Sequence, residues 1–156
     1  MPVEVIIEEP RWAAANIEAL AQRAVSATLS HLGMVLAAHE VSLLACNDTR
    51  IAVLNAAFRD KEAATNVLSW PSAERSPGTP LTDTPELGDI AMAYETCVRE
   101  AEAGGISLEF HTLHLLVHGT LHLLGYDHEE DADADLMEAT ETAILAKLGV
   151  PNPYVR

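Results

Sequence analysis

The residues most capable of chemistry in this chain stand in one run, His118-Gly119-Thr120-Leu121-His122-Leu123-Leu124-Gly125-Tyr126-Asp127-His128. On a helix turning about 100° per residue, His118 and His122 fall one turn apart on one face, so two imidazoles can reach a single ion. Gly125 permits the left-handed conformation that closes a helix, which turns the chain back and delivers His128 from outside the helix as a third imidazole. Three neutral nitrogens with a fourth position left for water or substrate describe a catalytic zinc site, whereas a structural zinc would be enclosed by a fourth protein ligand. One histidine alone is more often a partly buried residue with satisfied hydrogen bonds. Three at this spacing, with glycine where the helix must break, read as metal ligands.

The spacing H-x-x-x-H-x-x-G-x-x-H is also that of the metzincin proteases, in which the residue after the first histidine is the glutamate that serves as general base. Here that residue is Gly119. Glycine cannot accept a proton, so the ligand scaffold is present while the protease's base is absent from its usual place. A metallopeptidase is therefore the weaker reading. The missing side chain is expected to leave room beside the metal for a substrate bulkier than a peptide carbonyl.

Extended towards its N-terminus, the same helix adds His111 and His114, which steps of about 100° place within or near the arc of His118 and His122. Leucines and Val117 fill most of the remaining circumference. A helix apolar nearly all round is a buried one, so its polar stripe should line a cleft. His111 and His114 are expected to line that cleft or orient a ligand, because a catalytic zinc rarely takes more than three protein ligands.

The helix must be positioned by an otherwise ordinary chain of 156 residues, 49% hydrophobic and free of low-complexity tracts, long enough for one domain with a real core. No apolar run approaches the roughly 18 residues of a membrane span, and Met1 to Pro10 lacks the charged and apolar regions of a signal peptide. A cytoplasmic protein is expected. Cys46 and Cys97 lie far apart, in no C-x-x-C motif, which fits a reducing compartment and leaves zinc to the histidines. The net charge of −15, from nine Lys and Arg against 24 Asp and Glu, argues against non-specific nucleic-acid binding. Neither DNA nor a membrane is an expected partner, and any RNA must be gripped locally. Much of the acid lies between Asp127 and Glu141 and reads as a solvated face at the positive end of a helix.

In chain order, Val3 to Glu8 reads as a strand, and Pro10 opens an amphipathic helix from about Arg11 to Leu32. A second strand follows at His39 to Cys46. Asn47 or Asp48 can cap a helix from Thr49 to Arg59, on which Asn55 and Arg59 lie one turn apart. Thr65 to Pro71 is a short third strand, Ser72 to Glu86 a long exposed loop with three prolines, and Leu87 to Ala93 a fourth strand. A short helix from Tyr94 precedes the histidine helix, which Ser107 caps, and an acidic final helix ends near Leu148. The pattern predicts an α+β fold: a single domain with one mixed sheet of about four strands packed with about five helices.

Leu54-Asn55-Ala56-Ala57-Phe58-Arg59, Thr65-Asn66-Val67-Leu68-Ser69-Trp70-Pro71, Leu87-Gly88-Asp89-Ile90 and the run from His114 to His128 resemble, in order and spacing, the bacterial YbeY proteins. The match covers most of the chain beyond about residue 50, with Trp70 where a phenylalanine is usual. The resemblance implies a zinc-dependent, single-strand-specific endoribonuclease with one zinc per chain. It also implies work on ribosomal RNA, including 3′-end processing for the small subunit, and in ribosome quality control, with the small ribosomal subunit and its assembly factors as partners. It makes His118, His122 and His128 the ligands and Arg59 the cleft arginine that handles RNA.

The residues themselves agree with this reading. A guanidinium such as that of Arg59 matches phosphate geometry bidentately, although a surface ion pair at a helix end is its plainer explanation. His114 is a candidate catalytic proton shuttle, as is His111, and either can instead orient a ligand. Asp127 can support His128 or cap the last helix, Asp89 reads as a backbone-fixing residue, and Asn66 and Ser69 can contact substrate or satisfy nearby backbone groups. A non-catalytic, metal-stabilised ribosome-assembly factor is the principal alternative.

Overall fold

The computed structural model describes residues 2–35, 38–59, 63–77 and 86–154, with the Arg59 side chain outside that set. Strands β1 (Val3–Ile7), β2 (Glu40–Cys46), β3 (Val67–Pro71) and β4 (Glu86–Ala93) form one sheet in the order β1-β2-β4-β3. β1 runs parallel to β2 and β2 to β4, while β3 pairs antiparallel with β4 at the sheet edge. The sheet is therefore mixed, as the α+β pattern requires. Among the described residues six helices surround it: α1 (Arg11–Ala14), α2 (Ile17–His31), α3 (Asp48–Arg59), α4 (Tyr94–Gly104), α5 (Leu108–Leu123) and α6 (Asp131–Lys147).

The extra helix arises because the segment expected as one helix from Arg11 to Leu32 breaks at Ala15 and Asn16. Asn16 takes a left-handed conformation, φ 62°, which asparagine tolerates better than most residues. In an unbroken helix Trp12 and Ile17 would stand roughly 140° apart around the axis. Both are fully buried, and the Trp12 indole N–H donates to the Cys46 carbonyl at 2.9 Å. The break lets the indole reach the end of β2 while α2 keeps its own apolar face on the sheet.

Alternation along the strands divides the apolar residues between two faces. Val41, Leu43 and Ala45 of β2 and Ile90 and Met92 of β4 join α2 and α5 in the main core, while Cys46, Ala91 and Ala93 meet Ile51 of α3 on the other side. On β3, Leu68 points to the α3 side. Val67 and Ser69, the alternate residues, are left facing α5, so the sheet edge forms a wall beside the histidine helix.

The two helices that follow β2 and β4 share their caps. Asn47 Oδ1 accepts from the Arg50 amide at 2.8 Å and caps α3. Asp48, the other candidate, accepts instead from the Thr96 amide of α4 at 3.0 Å, and Glu95 of α4 accepts from the Asp48 amide at 3.0 Å. Each carboxylate thus satisfies an orphan amide of the neighbouring helix. Of the expected loop from Ser72 to Glu86, residues 72–77 run mostly exposed without regular structure, and residues 78–85 lie outside the described set.

Candidate metal centre

α5 begins at Ser107, whose hydroxyl accepts from the Phe110 amide at 3.1 Å, and it buries Leu113, Leu116, Val117 and Leu121 in the main core. At its other end Gly125 adopts φ 95°. The Gly125 amide donates to the His122 carbonyl at 3.1 Å and the Tyr126 amide to the Leu121 carbonyl at 3.0 Å, the paired bonds that close a helix through a left-handed residue. Glycine has a second reason here. A Cβ at this position would lie 2.3 Å from the Arg75 carbonyl oxygen, so the segment after β3 packs directly against the turn. Arg75 secures that contact, its guanidinium donating to the carbonyls of Leu87 at 3.1 Å and Leu123 at 2.9 Å.

This local structure brings His118, His122 and His128 together, one ligand atom from each lying within 4.8 Å of the others. His118 Nε2 and His122 Nε2 are 3.0 Å apart. A tetrahedral zinc with Zn–N bonds of about 2.0–2.1 Å sets its nitrogens roughly 3.3 Å apart, so the two helical imidazoles already stand near ligand spacing. His128 faces both from the exposed turn, with ring centroids 5.7 Å from His118 and 5.2 Å from His122. Burial, then the neighbouring His118 and His128, pushes the His122 imidazole down to about 4. It is therefore neutral at physiological pH, as coordination requires. An open cleft of about 1030 Å³ borders the cluster, walled by Val67, Ser69 and Pro71 of β3, by Arg75 and by the 125–129 turn.

Behind the cluster lies a residue that sequence reasoning missed. Glu141 of α6 is fully buried, and its Oε2 accepts from His118 Nδ1 at 2.8 Å. Its Oε1 lies 2.7 Å from His114 Nε2 and accepts from the Tyr154 hydroxyl at 2.5 Å. Burial alone would raise this carboxyl, but hydrogen bonds from His114 and His118, the electrostatic pull of His118 and the bond from Tyr154 hold it down at about 2. Burial and the bond to Glu141 push the Tyr154 hydroxyl up. Of the acid between Asp127 and Glu141, expected on a solvated face, this residue is the exception. A signal was available: Met137, Glu141, Ile144 and Leu145 recur at helical spacing, which puts one acid in the buried stripe of α6.

The other candidates divide. His114 borders Glu141 rather than the described lining of the cleft, and His111 Nε2 engages Glu100 at 2.8 Å. Asn66 spends both ends of its amide, donating to Glu100 at 3.0 Å and accepting from the Val67 amide at 2.6 Å, so it braces the wall of the cleft. Asp127 accepts from the His128 amide at 2.6 Å and holds the turn, while α6 starts without a side-chain cap. Asp89 is exposed on β4. The room expected beside Gly119 is taken: a Cβ there would meet Ile90 Cδ1 and Ser69 Oγ, each at 3.2 Å. The missing side chain lets α5 approach the sheet closely. Arg59 ends α3, and its guanidinium lies outside the described set. Cys46 and Cys97 are buried free thiols, and burial raises the Cys46 thiol to about 12.

An α+β fold that gathers three imidazoles at the edge of an open cleft, one of them backed by a buried carboxylate, defines a protein equipped to hold a metal ion. The sequence profile described as Endoribonuclease YbeY matches residues 5–149, and the chain belongs to the YbeY family. Proteins called Endoribonuclease YbeY from a Jannaschia species and from Dinoroseobacter shibae are each 54% identical to it. Those alignments cover 99% of this chain and 100% of the relative in the first case, 97% and 90% in the second. The solution structure of TM1509 from Thermotoga maritima shares the fold, with TM-score 0.64 and 23% identity over 94% of this chain and 88% of that one.

Proposed function

We propose that this protein is a zinc-dependent, single-strand-specific endoribonuclease acting in ribosomal RNA maturation, including 3′-end processing for the small subunit, and in ribosome quality control. Its partners on this reading are ribosomal RNA, the small ribosomal subunit and the subunit's assembly factors. The observation that carries the reading is the convergence of His118, His122 and His128 to within 4.8 Å beside an open cleft. Membership of a family whose relatives are called endoribonucleases supports it. The three histidines would hold one zinc, which when bound would supply Lewis-acid chemistry at the cleft.

The chain's own residues do the rest. His118 and His122 would hold the ion from α5, and His128 would complete the set from the turn that Gly125 and Asp127 shape. The cleft is open enough for a splayed phosphodiester and is walled by β3 and the segment around Arg75. Arg75 lines the cleft and braces it, its Nη1 donating to the Leu87 and Leu123 carbonyls. Arg59, which the family resemblance assigns to RNA handling, supplies the cation for charge building on the phosphoryl oxygens. His114 acts through Glu141 and not on the substrate, as its short contact to that carboxylate supports. No described helix is long and apolar enough to cross a membrane. The expected compartment is the cytoplasm.

The test is cleavage of a single-stranded RNA and of a duplex with the same sequence by the purified protein. The single strand is cut and the duplex spared. No cleavage of either supports the non-catalytic assembly factor and refutes the enzyme.

A further inference from the structure

Glu141 presents a physical problem that the ligand set alone does not solve. The chain carries 24 acidic residues against nine Lys and Arg, and it has exposed helix surface on which to place them. Burying one carboxylate costs several kcal/mol unless hydrogen bonds and charge offset it. Among the described residues no Lys or Arg pairs with this one, and its partners there are two imidazoles and a phenol. A buried acid retained solely for stability would be better served by a guanidinium, or replaced by an apolar residue in the stripe formed by Met137, Ile144 and Leu145.

The two oxygens divide the work. Oε1 takes His114 Nε2 at 2.7 Å and the Tyr154 hydroxyl at 2.5 Å, which leaves Oε2 to His118 Nδ1 at 2.8 Å. An ionised carboxylate only accepts, so His118 must carry its proton on Nδ1. The lone pair then resides on Nε2, the nitrogen that faces His122 Nε2 at 3.0 Å. Tyr154 comes from the segment beyond α6, where Asn152 Oδ1 accepts from the Tyr154 amide at 2.9 Å. The Tyr154 ring also packs edge-on against His114, with centroids 5.6 Å apart.

We propose that Glu141 is a positioning residue of the metal centre: it fixes His118 in the tautomer that turns Nε2 towards His122 and His128, and Tyr154 and His114 hold the carboxylate in place for that task. The inference rests on the reading of His118, His122 and His128 as the zinc ligands. It assigns the segment after α6 a role at the site, since the Tyr154 hydroxyl restrains the same carboxylate that orients a ligand. A neutral amide at 141 cannot reproduce this. Its single acceptor oxygen can serve His118 or the His114–Tyr154 side, and an amide N–H turned to His118 Nδ1 selects the opposite tautomer.

The experiment measures two properties of wild type, Glu141→Gln and Tyr154→Phe. Zinc affinity is read by competition with a chromophoric chelator, and the tautomer of His118 by nitrogen-15 shifts of the imidazoles in metal-free protein near neutral pH. Glu141→Gln should bind zinc about 10–100-fold more weakly, the loss expected when the partner behind a ligating histidine is removed. Its His118 should shift away from the Nδ1-protonated form. Tyr154→Phe keeps the ring against His114 and loses only the O–H, so it should weaken zinc binding by a smaller factor in the same direction, and it remains informative if Glu141→Gln fails to fold. Unchanged zinc affinity and unchanged His118 tautomer in a folded Glu141→Gln, or in Tyr154→Phe if that is the variant that folds, overturn the proposal. Wild type that takes up no zinc overturns the ligand reading instead, and the tautomer shift tells the two failures apart.

Discussion

Gly125 should be irreplaceable for two separable reasons, and the separation can be measured. A residue with a Cβ in the left-handed region costs roughly 1–2 kcal/mol, and Gly125 sits there at φ 95°. Gly105, after α4, has φ 66° and nothing within 4 Å of a built Cβ, so Gly105→Ala measures the backbone cost alone. At Gly125 the same methyl would also lie 2.3 Å from the Arg75 carbonyl oxygen and 2.7 Å from Ser76 Cα. Those are backbone atoms, which cannot swing aside as a side chain can. Forcing them apart should add about 1–3 kcal/mol, the range for overpacking a filled site. At about 2–4 °C per kcal/mol for a chain of this size, thermal unfolding of Gly125→Ala should fall several degrees below that of Gly105→Ala. Because the turn delivers His128, Gly125→Ala should also bind zinc at least tenfold more weakly, with Gly105→Ala unaffected. Equal melting of the two variants, or full zinc affinity in Gly125→Ala, would refute both the packing argument and the route assigned to His128.

Arg59→Ala should keep zinc and the thermal midpoint while single-strand cleavage falls at least tenfold, and Arg59→Lys should recover only part because the bidentate fork is lost. Equal rates for wild type and Arg59→Ala would remove Arg59 from the mechanism. Metal-free protein should lose stability continuously on acidification. The unfolded chain protonates its histidines near 6.5 while folded His122 stays neutral to about 4, so stability falls through that window. Glu141, held at about 2 against an ordinary 4.5, contributes stability that is fully present above 4.5 and lost as pH falls towards 2. Denaturant midpoints should show both declines, with His122→Ala flattening the upper one. A wild-type midpoint constant from pH 6.5 to 4.5 would contradict the burial assigned to His122.

The clustering of His118, His122 and His128 was legible because its geometry is local: two histidines one turn apart, a glycine that closes the helix and a third histidine just beyond are all encoded within eleven consecutive residues. β1 was legible through its β-branched run, and the other strands through short, largely apolar segments. What escaped the sequence depends on contacts between distant segments. Glu141 hides among acids of the same helix, and only its place in an apolar stripe sets it apart. Arg75 looked like one polar residue in a long loop, yet its guanidinium ties that loop to β4 and to the end of α5. Asp48 was a plausible cap for its own helix and caps α4 instead, a choice made by the approach of Thr96 across the fold. Gly119 pointed away from a protease, but the space it was expected to leave beside the metal belongs to Ile90 and Ser69.

Zinc dependence of RNA cleavage is the most direct test. Wild-type protein stripped with a chelator, dialysed free of it and supplied with increasing zinc should regain cleavage of a single-stranded RNA in proportion to metal and saturate at about one zinc per chain. His122→Ala, treated identically, should recover nothing. Cleavage that survives complete removal of zinc, or that returns equally in His122→Ala, would contradict the assignment of catalysis to the three-histidine centre.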